Sequence, residues 1–120
     1  MFKGENEIMS CSACFEAKNG KIIDDLNFHC FDGRSKDFRK LERIFFDMRT
    51  KQISKQCGYG QCDEVSRVVL KNTLKKFKNF KVAEPSKILK MKLQEIIAVL
   101  TNVVNYMDKN GIAVITISYW

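Results

Sequence analysis

Apolar and polar positions alternate over residues 9–17. Met9, Cys11, Ala13, Phe15 and Ala17 fall on one side, and Ser10, Ser12, Cys14 and Glu16 on the other. A period of two marks a strand with one buried face. Asn19-Gly20 follows, a dipeptide suited to a type I′ hairpin turn because both central residues of that turn need positive φ. The return strand is expected from Lys21 to about Phe31. A two-residue loop pairs Lys18 with Lys21 and then sets Ala13 opposite Leu26, Cys11 opposite Phe28 and Met9 opposite Cys30. All six are apolar, so the register is self-consistent. Asp24-Asp25 breaks the pattern and predicts a bulge or bend.

The period then changes. Asp32-Gly33-Arg34-Ser35 reads as a turn with Ser35 as a helix cap, followed by a helix over about 36–53 with Phe38, Leu41, Phe45 and Met48 on one face. Two glycines make Cys57–Cys62 a loop, and Asp63-Glu64 suit the start of a second helix reaching Phe80, with Val65, Val69, Leu70, Leu74 and Phe77 inward. Pro85 fits the first turn of a third helix, whose stripe runs through Leu89, Leu93, Ile96, Ile97, Leu100, Val103, Val104 and Met107. Asn110-Gly111 ends it with a left-handed residue, and Ile112–Trp120 reads as a last strand, rich in β-branched and aromatic residues. Strands at both ends with helices clustered between them predict an α+β fold: an N-terminal β-hairpin, three helices, and a C-terminal strand joining a small antiparallel sheet.

Composition bounds this picture. The chain has 120 residues, 45% of them apolar and 29% charged, which excludes disordered and collagen-like classes and predicts one domain over residues 1–120. The mixed residues Met1–Glu7 lead into no apolar segment, so no secretory signal is expected. The longest apolar run, Ile96–Leu100, is far short of a membrane span. A cytoplasmic protein with no membrane partner is the expectation.

Charge matters by segment. Residues 1–33 carry three lysines against six acids, whereas residues 34–56 carry eight basic residues against three acids and residues 57–81 six against two. Arg67, Lys71, Lys75 and Lys78 fall within about 80° of helical arc and form a ridge. Arg39, Lys40 and Arg43 form a second cluster. Such cations attract phosphate backbones without sequence readout, and equally an acidic protein surface. Tyr59, between two glycines, is positioned to stack on a base or fill a partner's pocket.

The five cysteines admit several arrangements. Cys11, Cys14, Cys57 and Cys62 have the number and kind of ligands zinc takes. Against that set, Cys11 and Cys14 have opposite parity on a strand with no turn residue between them. Cys11 and Cys30 also suit the hairpin's apolar face. Free thiols are therefore favoured over metal, and no cofactor is expected. A Cys57–Cys62 disulfide is geometrically open if the loop doubles back. The lone histidine, His29, reads as a surface residue rather than a catalyst.

No enzyme fingerprint is present. These residues predict a small, basic, non-enzymatic binding or regulatory module that engages nucleic acid, or an acidic protein that handles it, through residues 34–81. The contacts would be Arg39, Lys40, Arg43, Tyr59, Arg67, Lys71, Lys75 and Lys78. One alternative is a protein-interaction module, an inhibitor or subunit, docking or forming a homodimer through a sheet edge that includes the C-terminal strand. Another is a small ribonuclease or toxin-like enzyme.

Overall fold

The last strand of the chain lies in the middle of the sheet. The computed structural model describes residues 12–27, 36–47, 51–57, 60–83 and 85–119; the side chains of residues 27, 46, 51–57, 60, 61 and 119 are outside that description. In chain order the elements are β1 (Ser12–Glu16), β2 (Ile22–Asn27), α1 (Lys36–Phe46), β3 (Lys51–Cys57), β4 (Gly60–Ser66), α2 (Arg67–Lys78), α3 (Lys87–Asn110) and β5 (Val114–Tyr119). The sheet has strand order β2-β1-β5-β4-β3, and every neighbouring pair is antiparallel. Two hairpins thus flank β5, which pairs with β1 on one side and β4 on the other.

The α+β class read from the sequence is the class observed, with a larger sheet. The expected helix over 36–53 stops at Phe46, and the Cys57–Cys62 loop and the helix start at Asp63 give way to the β3–β4 hairpin. The physical reason lies in pairing. Residues 51–57 read Lys-Gln-Ile-Ser-Lys-Gln-Cys, with neither a helical stripe nor an alternating apolar face. Their backbone is held instead by β4, which β5 holds in turn. Non-local pairing of this kind overrides local propensity.

The first hairpin keeps the predicted register by an unexpected route. The Ala17 carbonyl accepts from Gly20 N–H, and the Ala17 N–H donates to the Lys21 carbonyl, both at 2.9 Å. The loop therefore has three residues, Lys18–Gly20, with Gly20 at φ 87°, in place of the two-residue turn. That shifts the pairing by one residue, so Glu16 faces Ile22. The register changes again between Phe15 and Glu16, leaving Ile23 bulged out, and Ala13 faces Leu26 as the apolar pattern requires. The extra loop residue is offset by the bulge beside Asp24. Cys11, Phe28, Met9 and Cys30 lie outside the described residues.

The three helices of the described residues contribute to a single core with one face of the sheet. From the sheet it takes Ala13, Phe15, Leu26, Val65, Ile115 and Ile117. Phe38, Leu41 and Phe45 of α1 are fully buried against it, and Phe45 meets Phe15 edge to face with ring centroids 6.1 Å apart. In α2, Ser66 caps the start by accepting from Val69 N–H, and Leu70, Thr73, Leu74 and Phe77 are buried. In α3 the cap is Ser86, one residue beyond Pro85, accepting from Leu89 N–H. Gly111 closes α3 at φ 64°, donating back to the Met107 carbonyl, a conformation that glycine adopts without steric cost. The predicted stripe of α3 is the buried one, with Val99 added and Ile97 only partly covered.

Two substitutions separate these contributions. Phe45→Ala should cost about 3–5 kcal/mol by removing a buried ring, whereas Ser86→Ala should cost about 1 kcal/mol by uncapping α3. Urea denaturation of each variant measures both; equal losses would contradict this division between core and cap.

Candidate nucleic-acid interface

Helices α2 and α3 run antiparallel, because residues at the start of α2 pair with one near the end of α3. Arg67 and Lys71 both reach Asp108 Oδ1, at 3.4 and 3.3 Å. These pairs are half exposed and hold little stability, but they spend two cations of the predicted ridge on an internal partner. The α2 N-terminus is also fixed to β5 through Arg67 N–H donating to the Ala113 carbonyl. The other end of the helix pair is different. Among the described residues, Lys75, Lys76 and Lys78 in the last turn of α2 are exposed and form no ion pair, nor does Lys81 in the connection to α3.

The 12 residues of α2 run alongside the C-terminal half of the 24-residue α3, and the connection then carries the chain on, by about 15 Å at 1.5 Å rise per residue, to the start of α3. Lys87 and Lys90 there are exposed, and the first turn of α3 contains no acid. Cations at a helix N-terminus work against its macrodipole, so these lysines bring α3 no local electrostatic gain. The start of α1 is tied to the same region: Asp37 Oδ2, buried, accepts from Ala83 N–H at 2.8 Å. Arg39, Lys40 and Arg43 on α1 are exposed. Glu42, between them, is half-buried, and burial raises its pKa above the usual carboxylate value, an effect Arg39 opposes. The basic ridge of α2 and the basic cluster of α1 therefore lie on neighbouring elements, and the connection between α2 and α3 joins them.

Of the residues singled out in sequence, Lys75 and Lys78 remain open at this end, Arg67 and Lys71 are turned to Asp108 at the other, and Tyr59 lies outside the described residues. Lys76, Lys81, Lys87 and Lys90 were not singled out. Their signal was present as lysine density across residues 71–92, where only Glu84 opposes the charge, but the helical wheel of one element does not extend to the connection and the next helix.

Cys14 and Cys62 lie on the opposite side of the sheet. Cys14, Ser118 and Cys62 stand side by side in one row across β1, β5 and β4, and all three are buried. Cys62 is disulfide-bonded, to a partner outside the described side chains, so the expectation of free or metal-bound thiols fails there. A disulfide sulfur is not the thiolate that zinc takes, and no group of three or more His, Cys, Asp or Glu side chains suited to a metal occurs among the described residues. Cys11 and the side chain of Cys57, the other members of that set, are outside the description, as is His29. Cys14 is a free thiol. Burial, then the Glu16 carboxylate beside it, then Asp25, push its pKa up to about 11. Ser118 Oγ donates to Glu16 Oε2 at 3.2 Å and lies 3.6 Å from Cys62 Sγ. Cys14 is thus a small buried apolar group without nucleophilic character.

The sheet edges differ from expectation as well. β5 is paired on both sides, so the C-terminal strand is no docking edge; among the described residues the outer strands are β2 and β3. β2 carries Asp24, Asp25 and the Ile23 bulge, and β3 carries Lys51 and Lys55 with a register shift between Ile53 and Gln56. Charges and bulges of this kind discourage strand addition. An open depression of about 390 Å³ between the first hairpin loop and the start of β5 is lined by Ala17, Lys18, Asn19 and Ile112–Val114 and offers no catalytic grouping. Among the described residues no helix is long and apolar enough to cross a membrane. Comparison of the chain with models of known protein families, with curated proteins and with solved structures finds no match.

The Cys14 environment makes a pH prediction. Its folded-state pKa is raised, so the stability it contributes is full below its ordinary value near 9 and is lost as the pH rises through about 11. Denaturant midpoints should fall over that window, and Cys14→Ala should flatten the fall. Rapid labelling of Cys14 by a maleimide in the native protein at neutral pH would contradict the buried, protonated thiol.

Proposed function

We propose that this protein is a small basic binding module that engages the phosphate backbone of nucleic acid through the ends of its three helices. Its support is one observation: exposed cations run from the last turn of α2 through the connection after it to the first turn of α3, with further exposed cations on α1, which Asp37 fastens to that connection, while the ion pairs to Asp108 lie at the start of α2. Phosphates recruit such a surface by releasing counterions, and no base-reading side chain is required. The surface falls partly within residues 34–81, as read from the sequence, and extends past them to Lys87 and Lys90. Among the described residues this surface offers charge for binding, and a regulatory role is the reading we attach to it. An acidic protein is the competing partner for the same charges.

Fluorescence anisotropy with a labelled oligonucleotide, repeated across a salt series, tests this. Affinity should fall steeply with salt. Lys75→Ala or Lys78→Ala should each weaken binding and lower the slope of log K against log salt by about 1, while Lys71→Ala, already paired to Asp108, should change both much less. No binding at low salt, or equal effects from Lys71 and Lys75, would contradict the assignment.

A further inference from the structure

The first turns of α3 expose two large aliphatic side chains. Ile88 is 60% and Met91 71% exposed. They lie three residues apart, one turn up α3 on one face of the helix. Lys87 and Lys90 flank them in sequence, and Lys81 is exposed in the connection that leads to them. Exposed apolar residues scattered singly need no explanation. A pair on one turn, collared by cations that form no ion pair among the described residues, is a different arrangement. Glu95, the next acid along α3, is held by Lys92 at 2.9 Å and does not neutralise this collar.

We infer that Ile88 and Met91 contact bases, and that the ligand of this surface is a single-stranded nucleic acid. The inference rests on the proposed phosphate-binding role of the surrounding lysines and names the kind of nucleic acid they hold. Charge complementarity alone selects a polyanion. A polyanion that also rewards two aliphatic side chains must present apolar surface close to its phosphates. A paired duplex keeps its base faces stacked inside, and opening a step costs energy. A single strand exposes its base faces beside its backbone. The thioether of Met91 is polarizable and packs well against an aromatic face, and Ile88 widens the same platform. The lysines would hold the backbone while these two side chains cover a base.

Anisotropy with a short fluorescein-labelled mixed-sequence single strand, and with the duplex of the same sequence, tests the inference. The intact chain should bind the single strand more tightly. The double variant Ile88→Ser, Met91→Ser should lose about tenfold in single-strand affinity, keep the wild-type salt slope because no charge changes, and leave duplex affinity unaltered. Both side chains are exposed, so the variant should melt like the wild type by circular dichroism. Unchanged single-strand affinity, or an equal loss on the duplex, would overturn the inference while leaving the lysine assignment standing. Failure of both oligonucleotides to bind would overturn the phosphate-binding role and this inference together. The same holds if phosphatidylglycerol vesicles are captured instead and the double variant releases them, for then the apolar pair serves a lipid surface.

Discussion

The antiparallel pairing of β5 between β1 and β4 is the constraint on which the rest of this structure depends. It joins the beginning, middle and end of the chain in one sheet, setting Phe15 and Asp63 on either side of Ile117, and Cys14 and Cys62 on either side of Ser118. Without β5 the two hairpins would be separate pairs, and an isolated two-stranded hairpin is marginal in water. With it they share a helix-facing surface that includes Phe15, Val65, Ile115 and Ile117. The cost is kinetic: these contacts are distant in sequence and form late in closing a large loop.

That central strand also determines where the charge goes. β5 begins directly after Gly111 closes α3, and α2 begins directly after β4. Since β4 and β5 are neighbours, with Ser66 opposite Val114, the start of α2 must lie near the end of α3, and Arg67 and Lys71 find Asp108 there. The shorter α2 then ends alongside the middle of α3, and the connection that carries the chain on to the start of α3 is where Asp37 fastens α1 through Ala83. Sheet topology therefore sorts cations that look equivalent on a helical wheel into a partnered group and an open one.

Features governed by neighbours in sequence were legible beforehand. The Ala13–Leu26 pairing, the buried faces of α1 and α3, and the Gly111 cap follow from periodicity and local chemistry. The β3–β4 hairpin was not legible, because residues 51–57 carry no alternating apolar signal and Asp63 and Glu64 resemble a helix start when read alone. Asp63 is instead buried on the helix-facing side of β4. Half of the candidate site was legible, namely the cations on α1 and α2. Lys87, Lys90, Ile88 and Met91 were not, since their membership depends on which turns of α3 the fold leaves uncovered. The cysteines show the same limit: Cys14 is a free buried thiol, whereas the disulfide at Cys62 depends on side chains brought together by the fold.

The central claim is that the exposed cations from the last turn of α2 to the first turn of α3, with those of α1, form a nucleic-acid surface. Amide chemical-shift mapping during titration with an unlabelled oligonucleotide tests it most directly, because it reports every backbone position at once. The account predicts shifts grouped at the start of α1, the end of α2, the connection after it and the first turns of α3, with β2 and the Arg67–Asp108 end unmoved. Shifts centred on Arg67 and Asp108, spread along a sheet edge, or absent at low salt would contradict it.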